Sequence, residues 1–218
     1  MSALTLILGN KNYSSWSMRP WLALAQTGAA YEEIVIPLDR PETAASIAAY
    51  SPSGKVPVLR DGELTVWDSL AIIEYLAERF PEAGLWPAAA DARAIARSVS
   101  AEMHAGFQAL RTHMPMNIRA ALPGRGRAEG VEADIARVTA IWRDCRSRFG
   151  GDGAFLFGAF SAADAMFAPV VTRFQTFAVD LDPVSRAYAD AVLNWPIVAA
   201  WCKAAADEPW SQARYDDL

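Results

Sequence analysis

Hydrophobic and polar positions in the first third of the chain follow strand-length and helix-length patterns in turn. Residues 4–8 form a short, mostly apolar run, which predicts a buried strand. Apolar side chains then recur at helical spacing, with Pro20 just inside this stretch and Gly28 as the expected C-terminal cap. Residues 31–36 predict a second strand, and the alanine-rich residues 42–50 predict a second helix.

A β-hairpin and a third helix complete this pattern. Two strand-length segments, residues 58–60 and 64–66, flank the Asp61-Gly62 dipeptide, which favours a tight turn. From Ser69 onward apolar side chains recur at helical spacing until a proline ends the helix. The resulting order is β-α-β-α-β-β-α. A right-handed first crossover and an antiparallel hairpin at the edge then predict a thioredoxin-like domain.

The composition changes after residue 80. Two prolines and a glycine interrupt the pattern there, and no convincing strand follows. Helical stretches cover residues 91–113, 129–149, 161–177 and 197–206. With 218 residues, of which 53% are hydrophobic, the chain can bury a sizeable core. We therefore predict an α/β plus all-α fold, with a thioredoxin-like domain at residues 1–80, a linker at 81–90 and an all-helical domain at 91–218.

The Lys55-Val56-Pro57 turn and the Asp68-Ser69 helix start are the most informative pair of motifs. Because proline cannot donate to a sheet ladder, Pro57 is expected at a strand entrance, where a cis peptide bond can occur. The Val56 backbone would then be free to pair with an extended peptide. A helix beginning at Ser69 offers unpaired N–H groups to a carboxylate. The alternative is an ordinary hairpin followed by an N-capped helix.

Four motifs, in this order, resemble the cytosolic glutathione transferase superfamily and especially its serine-type zeta and tau classes. They are residues 14–19, the turn at 55–57, the helix start at 68–76 and residues 161–164. The resemblance runs through most of the chain. It implies a glutathione-binding thioredoxin-like domain, a helical domain that supplies the pocket for an electrophile, and usually a homodimer.

Ser14 is the residue that we predict to activate the glutathione thiol. Conjugation needs a thiolate, and a donor near a helix N-terminus can lower a thiol pKa from about 8.5. Ser14 would donate to the sulfur and would not act as an acyl nucleophile, since no histidine is near it in sequence and no G-x-S-x-G motif is present. Ser15 and Ser17 are rivals for this role. Alternatively, all three serines are helix caps.

The resemblance also implies contacts along glutathione. Asp68, where many relatives carry glutamate, would pair with the γ-glutamyl ammonium, and Ser69 would bind the γ-glutamyl carboxylate. The Val56 backbone would pair with the cysteinyl part. Lys55 matches a lysine that reaches the glycyl carboxylate in the tau class, although a solvated loop lysine fits equally well. The predicted glutathione-binding set is Ser15, Lys55, Val56, Pro57, Asp68 and Ser69.

Trp16, Phe107 and Arg111 are our candidates for the electrophile pocket. An apolar wall with one cation suits an electrophile that carries anionic groups. Aromatic side chains at helical spacing are, however, more often part of a core. Ser161 and Asp164 resemble the capping box of the family, which has a role in folding.

Several functional classes are disfavoured. His104 and His113 lack the spacing of a metal site, and Cys145 and Cys202 do not form a C-x-x-C pair. A net charge of -5, with no basic stripe, gives no reason to expect nucleic-acid binding. Nowhere are there 18 uninterrupted apolar residues. We therefore expect a cytoplasmic protein that uses glutathione as co-substrate and binds no metal, nucleic acid or membrane.

Three functions fit these observations. The leading one is a glutathione S-transferase that acts on an electrophilic small molecule. The first alternative is a glutathione-dependent cis-trans isomerase of the maleylacetoacetate type, which the Ser14-Ser15 pair and Arg19 resemble, although Trp16 replaces the cysteine usual in that class. The second alternative is a noncatalytic module that binds glutathione.

Overall fold

The computed structural model describes residues 4–217, and its N-terminal part is a four-stranded sheet flanked by helices. The strand order is β2-β1-β3-β4, with β1 and β2 parallel and the β1-β3 and β3-β4 pairs antiparallel. This is the predicted thioredoxin-like arrangement. The elements are β1 (Leu4–Gly9), α1 (Ser15–Thr27), β2 (Tyr31–Ile36), α2 (Thr43–Ala48), β3 (Val58–Asp61), β4 (Leu64–Trp67) and α3 (Ser69–Arg79).

Local sequence signals explain where these elements begin and end. Helix α1 stops at Gly28, whose φ of 69° lies in the left-handed region that glycine adopts without steric cost. The β3-β4 hairpin turns at Gly62, which also has positive φ. Pro57 precedes β3, and the Val56-Pro57 peptide bond is cis. The short loop that contains this bond therefore lies just before the hairpin and takes no part in the hydrogen-bond ladder of the sheet.

The rest of the described chain is helical. After a short 3-10 turn (Pro81–Ala83), the helices are α4 (Ala90–Ala105), α5 (Gln108–His113), α6 (Val131–Phe149), α7 (Ala162–Thr176), α8 (Pro183–Asn194), α9 (Pro196–Asp207) and α10 (Ala213–Asp216). The predicted all-helical character of this part is confirmed. Within residues 4–217, no helix is both long and apolar enough to cross a bilayer.

Two features of the helical part differ from the predicted elements. Residues 91–113 do not form one helix, because the chain breaks between α4 and α5 at Gly106 and Phe107. Phe107 has a φ of 61°, which an α-helix cannot contain. Helices α8 and α10 were not predicted, although Asp182 caps α8 and Pro183 occupies its first turn.

Helix α7 is almost entirely buried, and its start is fixed by the predicted capping box. The Asp164 carboxylate accepts hydrogen bonds from the Ser161 backbone N–H and hydroxyl, both at 2.8 Å, and from the Leu156 N–H at 3.1 Å. Burial raises the pKa of Asp164 to about 6, against the opposing effect of these hydrogen bonds. Ser161 and Asp164 therefore serve folding, as expected.

One apolar core connects the sheet to the helical part. Helix α1 packs against α3 on one side and against α7 on the other. Met18 and Leu22 on α1 are fully buried in the same cluster as Phe167 and Trp142. Helix α1 is therefore packed between the two parts of the chain.

Candidate active site

A cavity of about 460 Å³ opens beside the cis-proline turn. Its walls come from the loop before β3, the end of β4, the start of α3 and helix α4. The cavity brings together five residues of the predicted glutathione-binding set, while Ser15 lies outside it. The lining residues are Trp16, Ser53, Lys55, Val56, Pro57, Trp67, Asp68, Ser69 and His104.

The start of α3 presents polar groups to this cavity. Asp68 has a φ of 73°, and its Oδ1 accepts hydrogen bonds from the Leu70 N–H at 2.9 Å and the Ala71 N–H at 3.4 Å. The Ser69 hydroxyl is buried and has no hydrogen-bond partner among residues 4–217. A ligand carboxylate could therefore accept from Ser69 beside the positive end of the α3 dipole.

The loop side of the cavity has unused groups as well. In the described part of the chain, the Val56 backbone forms no hydrogen bond and the Lys55 ammonium forms no ion pair. An extended peptide could pair with Val56, and Lys55 could approach its far carboxylate. The cavity thus has groups for both ends of a short peptide and for its backbone.

His104 is a cavity residue that the sequence analysis considered only as a metal ligand. Its Nε2 atom lies 3.3 Å from the Asp68 Oδ2 atom, and its ring meets the Trp16 ring edge-on at 5.2 Å between centroids. No local motif connects His104 with Asp68. Only the packing of α4 against the start of α3 reveals the pair.

The serines at the start of α1 have different environments. The Ser14 hydroxyl donates to Ser17 Oγ at 2.8 Å and accepts from the Ser17 N–H at 3.3 Å, so Ser14 is the N-cap of α1. Ser17 is completely buried and accepts from the Gly9 N–H at 3.0 Å. Ser15 Oγ instead accepts a hydrogen bond of 3.1 Å from Arg173 Nη2.

Arg173 brings a buried positive charge to this loop. Its other donors bind neutral carbonyl oxygens, those of Met114 at 2.8 Å and Pro169 at 3.1 Å. Burial, with a further contribution from the Arg111 charge, lowers the pKa of Arg173 to about 9. No carboxylate of residues 4–217 forms an ion pair with Arg173. The site therefore favours an added negative charge.

A second cavity of about 270 Å³ lies on the serine side of Trp16. It contains Ser14, Ser15 and three arginines, whereas we expected an apolar wall with one cation. Phe107, a candidate for this pocket, is buried in the core and lines neither cavity, because the break after α4 turns it inward. The lining residues are Tyr13, Ser14, Ser15, Trp16, Leu38, Arg111, Pro115, Met116, Arg173, Gln212, Arg214 and Tyr215.

Trp16 lines both cavities, and two guanidinium groups lie against its ring. The Cζ atoms of Arg19 and Arg111 are 4.5 Å and 4.7 Å from the ring centroid. Arg19 is fully buried, donates from Nε to the Met166 carbonyl at 3.2 Å, and has two other nitrogens without a hydrogen-bond partner in residues 4–217. Burial, followed by the charges of Arg111 and Arg173, lowers the pKa of Arg19.

Residues from the end of the described chain complete the second cavity, which the sequence analysis did not anticipate. The Tyr13 hydroxyl donates to the Asp216 carboxylate and accepts from the Gln212 N–H at 3.1 Å. Tyr215 stacks on the Tyr13 ring at 5.7 Å between centroids. These contacts join residues from opposite ends of the sequence, so no sequence motif could have indicated them.

The described residues contain no clustered metal ligands, and their two cysteines lie in apolar surroundings. Across residues 4–217, no group of three or more His, Cys, Asp or Glu side chains could hold a metal ion. Burial raises the pKa of Cys145 to about 12 and that of Cys202 to about 11. Both thiols are therefore protonated and poorly nucleophilic at neutral pH.

Two family models match the chain. One describes the N-terminal domain of glutathione S-transferases and matches residues 13–79, and the other describes their C-terminal domain and matches residues 128–204. The matched ranges include the serine loop, the cis-proline turn and the start of α3, whereas His104, Arg111 and residues 212–215 lie outside them.

Among curated proteins, the chain is 30% identical to a maleylacetoacetate isomerase of Rattus norvegicus over 184 residues, 78% of each protein. It is 30% identical to a maleylpyruvate isomerase of Ralstonia sp over 191 residues, which is 79% of this chain and 86% of that protein. Glutathione S-transferase Z2 of Arabidopsis thaliana is 29% identical over 188 residues, 79% of this chain and 80% of that protein.

Solved structures with the same fold include a maleyl pyruvate isomerase described as a bacterial glutathione S-transferase of the zeta class. Its TM-score is 0.72 at 25% identity, covering 95% of this chain and 100% of that chain. A glutathione transferase homologue from Burkholderia, solved with bound glutathione, has a TM-score of 0.73 at 22% identity, covering 94% of this chain and 100% of that chain.

Proposed function

The chain belongs to the cytosolic glutathione S-transferase superfamily, where its relatives include zeta-class proteins, and from this membership we propose that it activates the glutathione thiol for attack on a small anionic electrophile. The observation that carries the proposal is the junction of two cavities at Trp16. One has groups suited to a short peptide, and the other has serines and arginines suited to a reacting anion.

Glutathione is proposed to occupy the larger cavity. Its γ-glutamyl ammonium would pair with Asp68 and its γ-glutamyl carboxylate would accept from Ser69 at the start of α3. The cysteinyl part would pair with the backbone of Val56 beside Pro57, and Lys55 would approach the glycyl carboxylate. The unpartnered hydroxyl of Ser69 and the unpaired Val56 backbone support this placement.

Thiol activation is proposed at the start of α1. Ser14 would turn its hydroxyl from Ser17 toward the sulfur and donate a hydrogen bond to the thiolate, with Ser15 beside it. The α1 N-terminus and the buried charges of Arg173 and Arg19 stabilise a negative charge in this region. A thiolate is therefore the form of glutathione that the site favours.

The second substrate is proposed to carry carboxylate groups. Arg111, Arg173 and Arg214 line the smaller cavity, and arginine binds planar anions through paired N–H donors. This cationic lining also favours a second candidate function, the cis-trans isomerisation of an unsaturated dicarboxylate such as maleylacetoacetate. In that reaction the thiolate would add to the double bond and leave again after rotation, so glutathione would not be consumed.

The quaternary state and the division of labour between domains are also proposals. Residues 1–80 would bind glutathione, residues 91–218 would supply most of the electrophile pocket, and residues 81–90 would connect them. We propose a cytoplasmic homodimer. Leu64 and Trp67 on the edge strand β4 are large apolar side chains with 48% and 47% exposure, which supports a protein contact at this edge.

One titration tests the proposed function. Purified protein is mixed with glutathione across a range of pH, and binding and ultraviolet thiolate absorbance are followed in the same samples. We expect saturable binding and a bound-thiol pKa below the value of about 8.5 for a free thiol. Binding without a lowered thiol pKa would favour a noncatalytic module, and no binding would reject the proposal. Loss of maleylacetoacetate without consumption of glutathione would identify the isomerase.

A further inference from the structure

We infer that Trp16 is the specificity-determining residue for the second substrate, because its indole is the wall between the glutathione cavity and the arginine-lined cavity. This inference rests on the proposed function. It adds a physical limit on substrate size that the family membership does not supply.

The two cavities have different lining residues and share Trp16. Val56 and Pro57 line only the larger cavity, Ser14 and Ser15 line only the smaller one, and Trp16 lines both. A thiol held along Val56 would therefore approach the serines beside the indole, and an electrophile in the smaller cavity would meet the sulfur there.

Contacts on the indole hold this wall in place. Arg19 and Arg111 lie against the ring at 4.5 Å and 4.7 Å from its centroid, and His104 meets it edge-on at 5.2 Å. Arg19 is itself anchored in the core through the Met166 carbonyl. Cation–π attraction and this anchoring keep the indole fixed relative to both cavities. Trp16 as a whole residue has 36% exposure, so ligands can contact it.

Size selection follows from this geometry. The indole bounds the smaller cavity on the side of the glutathione cavity, so it limits how far an electrophile held by the arginines can extend toward that side, and one aromatic ring meets this limit less than two fused rings. Removing the indole would join the two cavities. Arg111 and Arg173 would remain to bind the anionic group. Loss of the indole would therefore allow larger electrophiles to react, while the preference for anionic electrophiles is retained.

Two electrophiles with the same leaving group test the inference. They are a bromomethyl benzoate and the corresponding bromomethyl naphthoate, each measured with glutathione and corrected for the reaction without enzyme. In Trp16→Ala we expect the naphthoate-to-benzoate ratio of kcat/KM to rise by about tenfold or more over wild type. Trp67→Ala, measured at saturating glutathione, is the matched control, because this indole lines only the larger cavity, so any effect on glutathione is common to both electrophiles and cancels in the ratio.

An unchanged ratio in a folded Trp16→Ala protein that still forms the thiolate would overturn the inference. An equal rise in Trp67→Ala would overturn it too, since the effect would then not depend on the wall. If Trp16→Ala does not fold, Trp16→Phe decides, with a smaller rise expected and no rise counting against the inference. Failure of wild-type protein to bind glutathione would instead reject the proposed function, and the inference would fall with it.

Discussion

Arg173 on α7 donates a hydrogen bond of 3.1 Å to Ser15 Oγ at the start of α1. A buried cation from the helical part of the chain thus reaches the serine loop of the sheet part. Because Ser15 accepts this bond, its own hydroxyl hydrogen remains available to a thiolate. The Ser14 hydrogen, in contrast, is directed to Ser17 at 2.8 Å.

The first prediction concerns Ser14→Ala. If Ser14 turns to donate to the sulfur, its loss removes a hydrogen bond to a charged acceptor, worth about 1.5–3 kcal/mol. The pKa of bound glutathione should then rise by about one to two pH units while most of the affinity remains. The measurement is a thiolate titration at saturating glutathione. Loss of the α1 cap should also lower the unfolding free energy by about 1 kcal/mol.

Ser15→Ala is the matched control for this prediction. It removes the neighbouring hydroxyl and leaves the cap of α1 intact. If the pKa of the bound thiol is the same in Ser14→Ala as in wild type but is raised in Ser15→Ala, the donor role belongs to Ser15. If neither variant changes the thiol pKa from its wild-type value, the α1 dipole and the arginines are the source of activation.

The second prediction concerns Asp68→Asn. Asparagine retains an oxygen that can accept from the Leu70 N–H, so the start of α3 should persist, but the charge that would hold the ammonium is lost. We expect the Kd for glutathione to rise by about tenfold or more, as for a lost charged hydrogen bond. Titration calorimetry measures the Kd for glutathione in wild type and variant. As a control, a glutathione analogue without the amino group should bind wild type and Asp68→Asn equally. An unaltered Kd for glutathione in Asp68→Asn would place the ammonium contact at another residue.

The third prediction concerns Arg111→Met. If this arginine binds a substrate carboxylate, kcat/KM for an unsaturated dicarboxylate should fall by about 10- to 100-fold. A neutral haloaromatic electrophile should lose much less. Arg111→Lys is the control, since it keeps the charge but loses the Nε–H donor to the Gly106 carbonyl. Equal losses for both substrates would show that Arg111 acts through the α4-α5 junction and not through charge.

The fourth prediction concerns the pH dependence of stability. Burial raises the pKa of Asp164 from 3.8 to about 6 in the folded protein. The folded state therefore holds this proton more tightly than the unfolded state. The contribution of the protonated Asp164 carboxyl to the unfolding free energy is fully present below pH 3.8 and is lost as pH rises through about 6. Across this window, the unfolding free energy of wild type should fall relative to that of Asp164→Asn. Urea denaturation at several pH values measures the difference, and parallel profiles would contradict the prediction.

Much of the fold could be predicted because its signals are local. The position of Pro57 allowed a cis bond and a strand entrance, and both are present. The Asp61-Gly62 dipeptide predicted the hairpin because glycine adopts positive φ without a Cβ clash. The start of α8 has equally local signals, because Asp182 accepts from the N–H groups of the first turn and Pro183 occupies the first helical position.

Other features depend on packing between distant segments. The break between α4 and α5 has one local signal, Gly106 at the C-cap of α4, but no sequence pattern indicates the positive φ of Phe107 that follows it. The contact between His104 and Asp68 and the arginine cluster at the second cavity join residues from separate helices. Sequence motifs could indicate where glutathione is proposed to bind, but not how many charges face the proposed position of its thiol.

The residues that close the second cavity come late in the chain. The larger cavity is lined by residues up to His104, whereas the smaller one also needs Arg173 on α7 and Gln212 to Tyr215 near the end of the described chain. Arg19, which lies against the Trp16 ring between the two cavities, is itself held by the Met166 carbonyl of α7. During synthesis on the ribosome, the residues that line the larger cavity are therefore made first, but the contact that anchors Arg19 beside Trp16 can form only after α7 has been made.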